Sequence, residues 1–199
     1  WWRQFWRGRS IGLMVTKTDT TQIITQPKLD EHVQPSLKRW FKHFLYISST
    51  HRYFNKQDRM QIANAVQQAE QGHVGEIQVV IEGHIPCSQA YHQNTRLRAQ
   101  QLFAELGVWD TELNSGVLLY LNLCERKVEI VIDRGLKNAT QTETWNKICQ
   151  NIVVTLTQKE YLRAVTEGVN EIGQVLDQYY VETDLHDQNE LPNEPIILN

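Results

Sequence analysis

Residues 96–136, RLRAQQLFAELGVWDTELNSGVLLYLNLCERKVEIVIDRGL, decide the fold. Leu102, Phe103 and Leu106 ride on an amphipathic helix that Gly107 stops. A polar loop follows, and then two runs of strand formers, Gly116–Leu123 and Val128–Asp133, joined by the polar turn CERK. Two such runs joined by so short a turn predict an antiparallel hairpin. Gly135 is expected to end the second strand, leaving Asp133-Arg134-Gly135 as a charged loop. The polar residues beside these strands are Asp110, Glu112 and Asn114 in the first loop and Asp133 and Arg134 in the second. Both loops flank the same strand pair, so they are expected to meet at one edge of a sheet.

Working outward, Glu76–Glu82 (EIQVVIE) is a β-branched run between Gly75 and Gly83, hence a strand. A helix near Gln57–Gln71 precedes it, and a helix over Ser88–Leu106 links it to the hairpin. A strand joined to the hairpin through a helix predicts a parallel pairing by a right-handed crossover. Downstream, Thr140 and Glu143 form a T-x-x-E capping box ahead of Trp145, Ile148, Cys149, Ile152, Val153 and Leu156, which recur at helical spacing. A final helix near Lys159–Tyr180 repeats that spacing, with Gly168 and Gly173 inside it allowing close backbone approach. These elements predict an α/β fold: a three-layer α/β/α sandwich whose small mixed sheet of three to four strands is flanked by helices.

The chain of 199 residues suits one domain with extensions. Its organisation is read as a disordered leader over 1–35, a basic aromatic amphipathic segment over 36–55, the domain over 56–181 and an acidic tail over 182–199. The first Met is Met14, so residues 1–13 are read as a misassigned start or as residues foreign to the natural protein, and not as a functional segment. The net charge of −3 conceals a polarity: residues 1–60 hold eleven Lys or Arg against four acids, whereas the last 36 hold eight acids and no Lys or Arg. That basic front points to an anionic surface as partner. Three widely spaced cysteines, Cys87, Cys124 and Cys149, make no disulfide framework and favour a reducing compartment. No apolar run approaches the roughly 18 residues of a membrane span. The expected location is cytoplasmic and peripheral at the inner membrane.

GEIQVVIEG, an RA-x2-LF-x2-L helix, VWDTELNSGVLLYL, VEIVIDRGL and a Trp-led helix before a Gly-containing one occur in an order that resembles the TPM domain family. The resemblance covers residues 56–180. The Trp/Phe-rich basic segment SLKRWFKHFLY resembles the branch of the family without a signal peptide. The resemblance implies a small mixed sheet flanked by helices. It also implies one of three activities proposed within the family: weak phosphatase activity, divalent metal binding, or a role beside membrane complexes. Many members carry Asp-Asn-Gly before the central strand, where this chain has Asn114-Ser115-Gly116, so a neutral amide replaces an aspartate that would ligate metal.

Asp110, Glu112 and Asn114 alternate as in the opening of a calcium loop, although the glycine and glutamate of an EF-hand are missing. The functional reading is a site for a divalent cation (Ca, Mg or Mn) completed by Asp133 or by Glu76, with Arg134 as a phosphate-binding clamp. The alternative is that Asp110 and Asn114 satisfy loop backbone and Arg134 makes a surface ion pair. His84, Cys87 and His92 lack a fourth zinc ligand. Trp109 and Trp145 are expected to pack in the core or hold the loops. The chain has no nucleophile elbow, P-loop or H-E-x-x-H motif, so any phosphatase chemistry would need a bound metal.

In residues 36–47 the aromatic and aliphatic side chains lie on one helical face and the basic ones on others, a pattern suited to an anionic membrane surface. The expected contacts are Lys38, Arg39, Trp40, Phe41, Lys42 and Phe44. The alternative is that the aromatic face docks on the domain. No nucleic acid is expected as partner, because the basic residues are few and no binding motif accompanies them. Two functions follow. The favoured one is a non-enzymatic interaction module at a membrane surface or membrane protein complex, its loops carrying an ion. The other is a weak metal-assisted phosphatase acting on phosphoesters.

Overall fold

In the computed structural model, residues 33–46, 50–179 and 190–199 are described. The leader expected over 1–35 and the first part of the acidic tail therefore lie almost wholly outside the described residues.

The hairpin forms as predicted, with β2 (Val117–Asn122) and β3 (Lys127–Ile132) antiparallel and Val117 opposite Ile132. Strand β1 (Ile77–Glu82) runs parallel to β2, Ile77 opposite Val117. Every residue of β1 and β2 is buried, as expected of strands covered on both faces. A fourth strand, β4 (Ile196–Leu198), lies parallel to β1 on its other side and gives the order β3-β2-β1-β4. For the described residues 190–199 this corrects the reading of a tail. The Ile-Ile-Leu run is too short to signal a strand in an acidic, proline-containing context, and the open edge of β1 supplies its backbone partners.

One face of the sheet presents Ile77, Val79, Ile81, Val117, Leu119 and Leu121, covered by α2 (Lys56–Ala69), α6 (Thr142–Thr157) and α7 (Tyr161–Tyr179). The other presents Val80, Leu118, Tyr120 and Val131 to α4 (Thr95–Glu105). The molecule is the expected three-layer sandwich with a mixed sheet. Gly173 lets α7 approach α2, since a Cβ there would stand 2.8 Å from the Ala69 Cβ and 2.9 Å from its carbonyl oxygen.

Three local readings are corrected. The helix expected over Ser88–Leu106 is broken into α3 (Cys87–Ala90) and α4, whose N-cap is Asn94. Asp133-Arg134-Gly135 is no loop: Asp133 caps α5 (Arg134–Ala139), Oδ1 accepting from the Arg134 N–H at 2.6 Å. The Thr140 hydroxyl is used differently from a capping box, donating to the Leu136 carbonyl at 2.7 Å and accepting from Trp145 Nε1 at 2.8 Å, while Gln141 is the N-cap of α6. Trp145 is fully buried as expected, but Trp109 is 53% exposed, so the two tryptophans part ways.

Candidate functional site

The loop before β2 and the start of α5, which follows β3 directly, do meet. The Asp133 N–H donates to the Gly116 carbonyl at 3.0 Å, and Arg134 Nε donates to Asn114 Oδ1 at 3.3 Å. Asn114 holds a left-handed conformation at φ 52°, which an asparagine tolerates. Burial pushes the Asp133 carboxyl up from its ordinary range, partly offset by Arg134, and its Oδ2 has no hydrogen-bond partner among the described residues.

The other predicted ligands are placed differently. Glu76 is buried at the foot of β1, where its carboxylate accepts the Glu190 N–H at 3.1 Å and the Leu191 N–H at 3.4 Å. It thereby pins the segment that leads into β4. The Glu112 N–H donates to Glu190 Oε1 at 3.1 Å, while Asp110 and Glu112 are themselves exposed. Among the described residues no group of three or more His, Cys, Asp or Glu side chains is arranged to hold a metal ion. Arg134 is exposed and engaged with Asn114.

The basic segment yields a different geometry. Helix α1 (Leu37–Phe44) starts at Ser36, whose hydroxyl accepts from the Arg39 N–H at 3.2 Å, and it docks on the body by its polar face. Arg39 donates from Nε to the Ala90 carbonyl at 2.7 Å and from Nη2 to the Tyr91 carbonyl at 2.9 Å. Those carbonyls end α3, where a helix lacks internal partners and carries its negative dipole end. His43 is buried, and its Nδ1 accepts the Ile85 N–H at 3.0 Å. Its Nε2 stands 3.2 Å from Glu125 Oε1, short of the alignment of a full hydrogen bond. Lys42 Nζ donates to Glu125 Oε2 at 2.8 Å. Burial works against ionisation of Glu125, but His43 and Lys42 outweigh it and hold the carboxyl down at about 2.

The apolar face of α1 consequently points away from the body. Leu37 is 63% exposed, Phe41 52%, Phe44 57% and the adjoining Leu45 60%. Trp40 stacks on Phe44, with ring centroids 5.1 Å apart and planes within 8°, and meets Phe41 edge-on at 4.9 Å. Of the residues expected to touch a membrane, Phe41 and Phe44 belong to this outward ridge, half-buried Trp40 packs against both, and Lys38 is exposed beside them. Arg39 and Lys42 are engaged with the body instead. What the sequence could not supply was the direction of the face. It is set by the α3 carbonyls and by Glu125, a turn residue with no distinguishing local signal.

The clasp has a pH dependence of definite sign. The Glu125 carboxyl is lowered from 4.5 to about 2, so its contribution is complete above pH 4.5 and is lost as the pH falls towards 2. Glu125→Gln is expected to weaken α1 docking by about 1–2 kcal/mol, below the value for a fully buried pair because Lys42 is exposed. The measurement is the amide resonance of Ile85, whose N–H is bonded to His43. It should move in the variant at neutral pH, and in the wild type a Glu125-linked shift should appear as the pH falls from 4.5 towards 2 and be missing in the variant.

A family model described as the TPM domain matches residues 47–175. Among solved structures the chain is similar to the BA42 protein of the psychrophilic bacterium Bizionia argentinensis. The two share 23% identity and a TM-score of 0.66 over 76% of this chain and 99% of that one. It is also similar to the N-terminal domain of a protein from P. gingivalis, with 19% identity and a TM-score of 0.56 over 68% of this chain and 85% of that one. These likenesses establish the fold. Among curated proteins no sequence matches.

Proposed function

The chain belongs to the TPM domain family, and from that premise we propose that it is a non-enzymatic module that seats on an anionic membrane surface through α1. The observation that carries this reading is the outward ridge of Leu37, Phe41, Phe44 and Leu45 on a helix that Arg39, Lys42 and His43 dock on the body. A ridge fixed in this way is presented without further rearrangement. Burying the exposed parts of these four side chains is worth roughly 3–7 kcal/mol before the cost of immobilisation. One short helix binds a bilayer marginally, so a second attraction is required. Lys38 beside the ridge and the excess of Lys and Arg over residues 1–60 supply charge for anionic headgroups. Among the described residues no helix is long and apolar enough to cross a membrane, so the attachment proposed is peripheral.

Sedimentation of the full chain with phosphatidylglycerol-containing vesicles tests the reading. The wild type should pellet with the vesicles and lose that association as salt rises. Phe41→Asp/Phe44→Asp, which alters only exposed positions, should remain in the supernatant while keeping the wild-type melting temperature. Equal pelleting of both proteins would refute the α1 anchor. Retention by a solubilised membrane protein but not by lipid would move the anchor to a protein partner.

One observation favours a second reading, a divalent cation at the loops: the unpartnered Asp133 Oδ2 beside Asn114 and Arg134. Saturable heat on calcium or manganese titration, abolished by Asp133→Asn, would support it and make p-nitrophenyl phosphate the next substrate to try. Absence of heat at millimolar ion would remove it, and with it the metal-assisted phosphatase.

A further inference from the structure

A cavity of about 410 Å³ opens between the β2–β3 turn and the α6–α7 junction, on the sheet face opposite α4. Leu121, Leu123, Val153 and Leu156 make its apolar lining, and Tyr53 and Tyr161, with ring centroids 4.9 Å apart, line it as well. Three cationic residues, Arg126, Lys127 and Lys159, belong to the lining, and no acidic residue does. An apolar chamber with cations and no acids is complementary to an anion that carries an apolar body.

The backbone adds an independent observation. Only three non-glycine residues among those described have positive φ, and two of them are cations of this cavity, Arg126 at 55° and Lys159 at 66°. Lys159 follows the end of α6, its N–H bonded to the Leu156 carbonyl at 3.0 Å. Arg126 closes the hairpin turn. Both are positions where glycine is the ordinary solution, because a Cβ is strained in the left-handed region. The chain places a long cation at each of them despite that strain. Strained residues gathered around one cavity point to a site.

We propose that this cavity binds a single-chain anionic amphiphile, its hydrocarbon against Leu121, Leu123, Val153 and Leu156 and its carboxylate or phosphate head held by Arg126, Lys127 and Lys159. The site does not depend on the α1 anchor.

Titration of the labelled full chain with decanoate below its micelle concentration, followed by amide NMR, tests it. Saturable shifts should centre on residues 121–127 and 153–161. Decyl phosphate should compete with decanoate, whereas decyltrimethylammonium and inorganic phosphate should not. The Arg126→Gly/Lys159→Gly double variant separates binding from folding. It relieves the backbone at both positions, so its melting temperature should equal or exceed that of the wild type, while decanoate affinity falls roughly 10- to 100-fold. Val153→Phe, which fills the chamber and leaves every cation in place, should also abolish the shifts. Undiminished decanoate binding in the double variant would overturn the proposal, as would equal binding of the cationic amphiphile. Shifts that arise only with anionic vesicles would overturn it too, because they would assign the cations to a membrane surface.

Discussion

Glu82→Leu should lower the unfolding free energy by about 3–5 kcal/mol, the largest loss expected of any polar substitution in this chain. Glu82 is 1% exposed at the end of β1, and Arg98 reaches it from α4 with Nε at 3.0 Å and Nη2 at 2.7 Å from Oε1. The other carboxylate oxygen accepts the Tyr120 hydroxyl at 2.6 Å, and Asn122 Nδ2 donates to that hydroxyl at 2.8 Å. Burial, reinforced by the neighbouring Glu82 carboxylate, pushes the Tyr120 phenol up, so it stays protonated and donates. Without Glu82 the guanidinium remains buried with no carboxylate on its Nε and Nη2, and the phenol loses its acceptor. Adding Arg98→Met to Glu82→Leu should recover most of the loss, because a buried ion pair contributes little net stability over an apolar pair of similar volume. The remainder reports on the stranded Tyr120 hydroxyl. Urea unfolding of the two variants and the wild type reads all three values, and a single-variant cost under 1 kcal/mol would show the network to be dispensable.

Gly116→Ala is expected to cost more than about 3 kcal/mol and to prevent accumulation of folded protein at 37 °C. Gly116 precedes β2 where the chain passes over the preceding loop, and a Cβ there would fall on the Val108 carbonyl oxygen, a backbone atom that cannot turn aside. The same residue's carbonyl accepts the Asp133 N–H, so relief by backbone movement would pull this loop away from the start of α5. Gly168→Ala is the control. Its new methyl would meet the Ile152 side chain, Cδ1 at 2.5 Å, and a side chain can change rotamer. A cost of about 1–3 kcal/mol is expected there. Thermal melts of the two variants side by side discriminate the cases, and equal costs would contradict the backbone argument.

The parts of the fold legible in the sequence were those whose causes are local. The hairpin follows from two β-rich runs and a four-residue turn, the β1–β2 pairing from the handedness of a helical crossover, and the helices α2, α6 and α7 from apolar periodicity. The illegible parts depend on distant partners. Strand β4 has only three residues and exists because β1 has an open edge, which it closes while Gly83 N–H donates to the Leu198 carbonyl at 2.8 Å. Glu76 reads as a ligand candidate, yet in the structure it accepts backbone N–H groups from a segment more than a hundred residues away. The residues expected to touch a membrane illustrate both limits. The apolar stripe of α1 is plain in the periodicity, but whether it faces in or out rests on Ala90, Tyr91, Ile85 and Glu125, none of which periodicity identifies. The segments flanking the hairpin were legible as neighbours and do touch through Asn114 and Arg134, although the second is the start of a helix and not a loop.

The outward face of α1 is the centre of the functional account, and a nitroxide at that face tests it most directly. Phe44→Cys, made in a Cys87→Ser background that leaves only the buried Cys124 and Cys149, takes the label at an exposed ridge position. On addition of phosphatidylglycerol-containing vesicles, collisions of the label with oxygen should rise and collisions with a water-soluble nickel complex should fall. A label at exposed Gln150 on α6 should register neither change. A label at residue 44 that stays as open to nickel with vesicles as without them would contradict the membrane-seated α1.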